Sequence, residues 1–598
     1  MAYLRFLLLI ISLLGFSETL KTKNKLPVFY NLSISAAFII SVLFYVSLVT
    51  QVTVINIVIL AAGLLLFAMN VIRKKIVWSD FARLPYIMAV IMVFAILLLL
   101  KGQRLEFVDD FRHWGRICRS IIENQALPTS KDALIEYTTY PPGAALWVAF
   151  VITSVGETTE DWYLIAQAFL MLIMLLPFFQ YISDTLKKGR RGYVFLYVFT
   201  VLCFSYPFFY SWKTATALSL CPEPLLSATV LASFVLIYDK KAQISRQPVY
   251  IIPFVLISYL IKDAGGLFSV LDIALLLFLS RREQKTKRGI TSACACAFCL
   301  LITFALWQYH VSVSFAPSSA SPHSLSMNRW VAHFQSYSAS ELKQIIRVFL
   351  YCTIKMEPFI ISVICIILIF ICYLSKKNGF SFAGKAKRIT WYVVISYAAY
   401  LLGMLFVYFF SMEKVNALKA GSYARYLFVA QMYIIGITLI FLTDLMDSEA
   451  DTVIKSKWSW FPDRIGKLAC ILAMIVLAVC LADNIQFEAK YRRENAVRTK
   501  TLSLIGENHY PDLAVYAPNQ ADGSYHQNHI RSEIIYDART TDVEILETGN
   551  EAQFSSALKT HNYIMICDID EHMASWIREK QVSIDEPGIY ATVLFDRE

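Results

Sequence analysis

The chain has 598 residues, of which 57% are hydrophobic and only 17% charged, whereas a soluble domain carries about a quarter charged residues. With a mean hydropathy of +0.53, a soluble globular protein of this size is excluded. The formal charge of +10 does not point to nucleic acid, because the lysines and arginines collect in short loops between apolar blocks, the positive-inside pattern of membrane proteins.

The first apolar stretch, Leu4 to Phe16, has the length of a signal-peptide core but no small-residue cleavage site. It reads as an uncleaved anchor. Blocks such as VTVINIVILAAGLLLFAMNVI from Val52 and LPYIMAVIMVFAILLLL from Leu84 follow. They reach the ~17–25 apolar residues that span hydrocarbon as a helix, and without water only a helix closes its own backbone hydrogen bonds. The basic loops are Lys21 to Lys25, Arg73 to Lys75, Lys187 to Arg191, Lys240-Lys241, Arg281 to Arg288, Lys376 to Arg388 and Lys455 to Arg464. Cytoplasmic placement of all of them leaves outside Lys101 to Gly143, Tyr210 to Pro222, the break at Lys262 to Gly266, Val311 to Leu342, Ser411 to Ala424 and everything after Asn484. Parity allows one crossing between Gly143 and Lys187, so Ala144 to Val155 is expected to be half-inserted. The side of Met1 stays open, and about 11 to 14 spans are expected in all.

The expected class is an α-helical polytopic membrane protein with a small extracytoplasmic α/β domain. The transmembrane part covers residues 1–486, with its first outer loop at 101–143, and the soluble part covers 487–598. In the soluble part DLAVYAP, SEIIYDA, DVEILE, YIMICDI and IYATVLFD read as strands, and Glu551 to Lys559 and Glu571 to Lys580 as helices. Cysteines such as Cys294, Cys296, Cys299, Cys365 and Cys480 lie inside apolar runs and read as small buried hydrophobes, with neither zinc spacing nor a disulfide framework. No GxGxxG, Walker A or HExxH pattern supports nucleotide or zinc-protease chemistry.

The first outer loop reads EFVDDFRHWGRICRSIIENQALP. Phe111, Trp114, Ile117, Cys118, Ile121 and Ile122 recur at helical spacing, with Arg112, Arg116, Arg119 and Glu123 between them, so the spacing predicts an amphipathic helix along the membrane surface. Asp109 and Asp110 at its start either cap it or supply a carboxylate that takes the proton of an attacking hydroxyl. About 100° separates neighbours on a helix, so only one of them is expected to face a reaction. His113, close to these carboxylates, is a candidate binding residue or a histidine facing headgroups. Lys262, Arg425 and Lys213 stand at expected outer helix ends and are candidate functional cations, with snorkelling as the plain alternative. Lys262 and Asp263 also interrupt the apolar run from Ile251 to Ser280, and ionisable residues in such a run point to function. Glu223, between two prolines at a span entrance, is a helix-start acid or a functional one. The stretch Val311 to Leu342, with neighbouring His310 and with His323, Arg329 and His333, reads as a mobile loop over the site, without metal-ligand spacing.

The order of these pieces resembles the GT-C superfamily of membrane glycosyltransferases, which includes protein O-mannosyltransferases and lipid A aminoarabinose transferases. The pieces are Asp109-Asp110, a surface helix, Leu127-Pro128, Tyr140-Pro141-Pro142-Gly143, Cys221-Pro222-Glu223-Pro224, Lys262-Asp263-Ala264-Gly265 and Gly421-Ser422-Tyr423-Ala424-Arg425-Tyr426. Glu223 departs from the aspartate more usual at its position. The resemblance implies transfer of a monosaccharide, with inversion, from a polyprenyl-phosphate carrier to an extracytoplasmic acceptor. That acceptor is a cell-surface polysaccharide, a teichoic-acid-like polymer of the cell wall or a glycolipid. It implies Asp109 as base with Asp110 orienting or binding, and His113, Tyr140, Glu223, Lys262, Arg425 and Tyr426 as substrate-binding residues. Some members hold a divalent metal with Asp-x-Asp. The adjacent pair here departs from that, so no cofactor is expected and a divalent metal is the alternative. The expected setting is a bacterial plasma membrane, with no nucleic-acid partner. The competing readings are a lipid-linked glycan flippase or transporter, and a glycan polymerase or ligase. Charges at one face without matched halves disfavour the first, and an outer loop only modestly rich in arginine and histidine disfavours the second.

Overall fold

The computed structural model describes residues 1–132, 134–186, 193–210, 218–239, 248–282, 286–315, 327–355, 362–363, 365–366, 380–450, 498, 501–506, 508, 510–517 and 524–595. In chain order the helices are α1 Ala2–Asn24, α2 Val28–Ser47, α3 Val52–Ile72, α4 Leu84–Leu100, α5 Gly115–Asn124, α6 Gly143–Val155, α7 Glu160–Leu186, α8 Tyr193–Tyr210, α9 Glu223–Tyr238 and α10 Ile252–Ile261. They continue as α11 Gly265–Arg282, α12 Thr286–Ser314, α13 Met327–Gln335, α14 Ala339–Lys355, α15 Phe380–Phe410, α16 Lys414–Lys419 and α17 Tyr423–Ala450. The C-terminal residues form β1 Asp512–Tyr516, α18 Ser524–Ala538, β2 Asp542–Leu546, α19 Glu551–Thr560, β3 Tyr563–Ile566, α20 Glu571–Glu579 and β4 Gly588–Ala591.

Among the described residues, seven helices are long and apolar enough to cross a membrane, and Leu84–Leu100, Gly143–Val155, Glu223–Tyr238 and Ile252–Ile261 are shorter apolar helices. Their outer faces are apolar too: Leu65, Phe94 and Leu98 are 63%, 62% and 77% exposed. Water would penalise such a surface and lipid does not, so the chain is a multi-pass membrane protein. The expected basic loop Lys455 to Arg464 lies outside the described residues. The helical unit is built around α7, whose apolar window is wholly buried between α2, α4, α6, α9 and α17. Helix α6 has only 13 residues, all but Thr153 buried. Pro142 precedes its first turn, and Gly156 ends it at φ 75°, donating its N–H to the Ile152 carbonyl at 2.7 Å.

Helices α10 and α11 pack side by side as a hairpin around the break at Lys262–Ala264. Gly265 makes it feasible, because a Cβ there would lie 1.7 Å from the Ser258 carbonyl oxygen. The Ser269 hydroxyl then bonds Val255 O across the pair at 2.7 Å. One expectation fails nearby. The stretch Val311 to Leu342 is not an irregular loop throughout, since Met327–Gln335 is helical and α14 starts at Ala339. Trp330 and Phe334 of α13 pack on Phe406 and Phe410 of α15 at 5.2 and 5.0 Å between ring centroids, which gives that amphipathic turn a partner.

The chain divides into two compact units, and the second is not one contiguous piece. It takes in Arg104–Arg119, Ser130–Glu136 and Asp483–Glu598. Its four-stranded sheet has the order β2-β1-β3-β4, with β1 parallel to β2 and β3, and β4 antiparallel to β3. Period-two alternation sends Ala514 and Tyr516 of β1 to a core shared with α19 and α20. Leu513 and Val515 face the opposite core with Ile530, Ile534 and Ala538 of α18. The run SEIIYDA, expected as a strand, is therefore the end of a helix. Residues 530, 534 and 538 recur every four positions, and that face covers the sheet.

Candidate functional site

Three distant stretches of the helical unit supply one cluster. Glu223 opens α9, where Pro222 and Pro224 suit the first turn because their missing N–H groups would have no intrahelical partner. The amide of Gln167, on α7, donates to Ser219 O at 3.1 Å and Cys221 O at 3.2 Å, tying down the approach to that helix. Lys262 ends α10 in an extended conformation, φ −162° and ψ 145°. Arg425 lies in the first turn of α17, where Ala420 at φ 51° and Ser422 at φ 58° reverse the chain. Tyr408 and Tyr400 of α15 pin that turn, donating to Gly421 O at 2.6 Å and Tyr426 O at 2.5 Å.

Lys262 Nζ stands 2.6 Å from Glu223 Oε1, and Arg425 Nε stands 3.2 Å from the same oxygen. Arg425 Nη1 also donates to Cys221 Sγ at 3.3 Å. The Tyr426 ring serves both cations, with Lys262 Nζ 4.5 Å and the Arg425 guanidinium 5.4 Å from its centroid. Glu223 is 1% exposed, while the Lys262 and Arg425 side chains keep 11% and 18% exposure. Two cations thus share one carboxylate oxygen at helix ends.

The sequence-derived candidates Glu223, Lys262, Arg425 and Tyr426 thus meet in one place. Tyr140 is half-buried in the same unit, stacked on Tyr137 at 5.4 Å. Its Pro-Pro-Gly corner abuts the end of α10, since a Cβ on Gly143 would lie 2.8 Å from the Leu260 carbonyl. Lys213 and His323 lie outside the described residues. His333 accepts a structural role, with Nε2 2.8 Å from Met412 O. Sequence reading missed Gln167, although an amide inside an apolar run is a signal in itself. It also missed Tyr400 and Tyr408, which carry none.

Asp109, Asp110 and His113 belong to the second unit. Asp109 is half-buried and makes no side-chain capping bond to the π-type turn Asp110–Trp114, while Asp110 is fully buried. The two carboxylates therefore diverge, as adjacent helical positions must. His113 is 1% exposed, its ring edge-on to that of Trp114 with 4.5 Å between centroids. The expected helix is present as α5, with Arg116, Ile117, Cys118 and Ile121 buried within the protein. Its arginines are engaged within the unit: Arg112 Nε bonds Glu136 at 2.8 Å, Arg116 donates to Leu134 O, and Arg119 donates to Tyr536 O at 2.7 Å while lying 3.6 Å over that ring. Burial lowers the Arg116 pKa to about 10, against the opposing pull of Glu136. Among the described residues no three His, Cys, Asp or Glu side chains converge as metal ligands would.

No protein-family model matches this sequence, and no curated protein matches it. Among solved structures the chain is similar to the crystal structure of ArnT from Cupriavidus metallidurans bound to undecaprenyl phosphate. The identity is 11%, the match covers 82% of this chain and 93% of that one, and the TM-score is 0.45.

Proposed function

We propose that this protein is a membrane glycosyltransferase that moves a monosaccharide from a polyprenyl-phosphate carrier to an acceptor outside the cytoplasm. The observation that carries the reading is the convergence of Lys262 and Arg425 on one oxygen of Glu223. A departing lipid phosphate needs positive charge already held in place, and preoriented charge in a water-poor setting is worth far more than the same charge in water. The motif order that resembles the GT-C superfamily supports the same chemistry.

In this mechanism an acceptor hydroxyl attacks the anomeric carbon from the face opposite the phosphate. The new C–O bond forms as the bond to the phosphate oxygen breaks, which inverts the centre. The hydroxyl proton passes to the Asp109 carboxylate, and Asp110 orients that segment. The electron pair of the broken bond stays on the lipid phosphate, facing Lys262 and Arg425, while Glu223 keeps both cations aimed. His113, Tyr140 and Tyr426 contact sugar or acceptor. The acceptor is a cell-surface polysaccharide, a teichoic-acid-like polymer or a glycolipid, in a bacterial plasma membrane.

The test is transfer of labelled sugar from polyprenyl-phosphate donors in membranes. Asp109→Asn is expected to lose about 10²–10⁴-fold in rate, the range for a general base. Undiminished transfer in both Asp109→Asn and Asp110→Asn, at normal protein levels, removes the proposed base.

A further inference from the structure

Helix α18 is covered on two sides. Ile530, Ile534 and Ala538 face the sheet, and a small domain usually leaves the other face of such a helix to water. Here the neighbouring stripe of His529, Glu533, Tyr536 and Asp537 follows the spacing i, i+4, i+7 and i+8. Glu533 and Tyr536 are buried, and the Asp537 side chain with them. The cover over that stripe is the segment 104–119, packed on α18 at the π-type turn Asp110–Trp114.

Phe111 is the centre of this contact. It is fully buried, with its ring centroid 5.7 Å from that of His529 and 5.5 Å from that of Tyr536. The Arg498 guanidinium lies over the same ring at 4.7 Å. Arg498 also donates to Leu105 O and forks onto Asp537, so it grips the chain on both sides of Asp109. Between these grips the backbone makes one turn, in which Asp110 N and Phe111 N both donate to Phe107 O, at 2.9 and 3.3 Å. Asp109 lies inside that turn, and its direction therefore follows the seat of Phe111. The far end of the segment is fastened to the same tyrosine. Arg119 donates to Tyr536 O at 2.7 Å and lies 3.6 Å over its ring.

We propose that the C-terminal α/β domain is a holder for the general base. His529, Tyr536 and Arg498 are positioning residues: they seat Phe111 and so fix where the Asp109 carboxylate points, without touching substrate. Asp109 is the half-buried member of the acidic pair, and Asp110 is locked inside the protein. A group that takes a proton while a bond forms must be held to within about 0.5 Å, and a shift of about 1 Å costs roughly 10²-fold in rate. A ring wedged between two other rings and a planar cation resists such a shift, because no neighbour can move without opening a gap. The inference rests on the glycosyltransferase reading with Asp109 as base.

The test is a double-mutant cycle on the full-length protein in native membranes. It reads transfer of labelled sugar from undecaprenyl-phosphate mannose, glucose, galactose and N-acetylglucosamine. Tyr536→Leu is expected to lower kcat about 10²-fold with the donor KM unchanged, and Tyr536→Phe, which keeps the ring contacts, to retain most of the rate. In the Asp109→Asn background Tyr536→Leu is expected to change nothing further, because a base already removed cannot be misplaced. A general loss of structure would lower that residual rate as well. Loss by the same factor in both backgrounds, or no loss in either, overturns the positioning role and leaves Asp109 as base. An Asp109→Asn variant as fast as the wild type removes the base and this proposal with it, as does a wild type that uses none of the four donors. If Tyr536→Leu does not accumulate, His529→Leu, at a half-buried position, takes its place in the cycle, with the same dependence on Asp109 expected.

Discussion

Glu223 and Lys262 stand 39 positions apart in the chain, and Lys262 Nζ donates to Glu223 Oε1 at 2.6 Å. Both sit at the ends of helices that are otherwise apolar, where an uncompensated charge is expensive. Glu223→Gln removes the carboxylate that pairs with the largely buried Lys262 and is expected to destabilise the protein by about 3–5 kcal/mol, as breaking a buried ion pair does. Lys262→Met in that background should recover part of the loss, because it removes a stranded charge. Thermal unfolding of the four proteins in detergent checks this. Strictly additive losses would mean that the two side chains do not interact.

The hairpin of α10 and α11 depends on one glycine and not on its neighbour. A Cβ at Gly265 would collide with backbone at Ser258, whereas the nearest atom to a Cβ at Gly266 is Tyr259 Cδ2 at 3.9 Å. Gly265→Ala is therefore expected to cost about 1–3 kcal/mol or more through overpacking, and Gly266→Ala to be near neutral. Thermal midpoints that fall equally in both variants would contradict this close approach.

Arg498 organises the second unit. It is fully buried, forks onto Asp537 at 2.9 and 3.1 Å, donates to Leu105 O and lies 4.7 Å over the Phe111 ring. Lysine has no planar fork to replace these contacts. Arg498→Lys should raise amide exchange across residues 104–119 together with β1 and α18, through a local loss of about 3 kcal/mol or more. Unchanged exchange in 104–119 would show that this segment is held by other contacts.

Tyr516 should make the C-terminal unit sensitive to alkali. Its hydroxyl donates to Asp570, 2.9 Å from each carboxylate oxygen. Burial, with the carboxylate adding to it, pushes the phenol from 10.0 up to about 12. The folded state keeps a proton that the unfolded chain has lost, so this stability is complete below the unfolded value and disappears as pH rises through the folded one. The gap between wild-type and Tyr516→Phe thermal midpoints should narrow as pH is raised from 10.0 towards about 12. A gap that stays constant over that window would mean the phenol does not titrate differently on folding.

Local pattern made part of the C-terminal unit readable. Four of the five expected strands are present because alternation and β-branched residues show in short runs. SEIIYDA misled because its helical period appears only when Ile530, upstream of the run, is counted with Ile534 and Ala538. The helix at Met327–Gln335 was hidden for another reason: Trp330 and Phe334 find their partners on α15, far along the chain.

By itself the sequence determined that the chain is a bundle of apolar helices with a small α/β part. Hydrocarbon tolerates little besides long apolar helices, and that constraint is written residue by residue. It also marked Glu223, Lys262, Arg425 and Tyr426 as charged or aromatic interruptions at helix ends. Only the tertiary structure decided that Lys262 and Arg425 share one carboxylate oxygen of Glu223, and that the Asp109 segment folds with the C-terminal residues. Which helix ends become neighbours depends on close approaches such as Gly265 on Ser258 and Gly143 on Leu260. Hydropathy carries no record of those pairings.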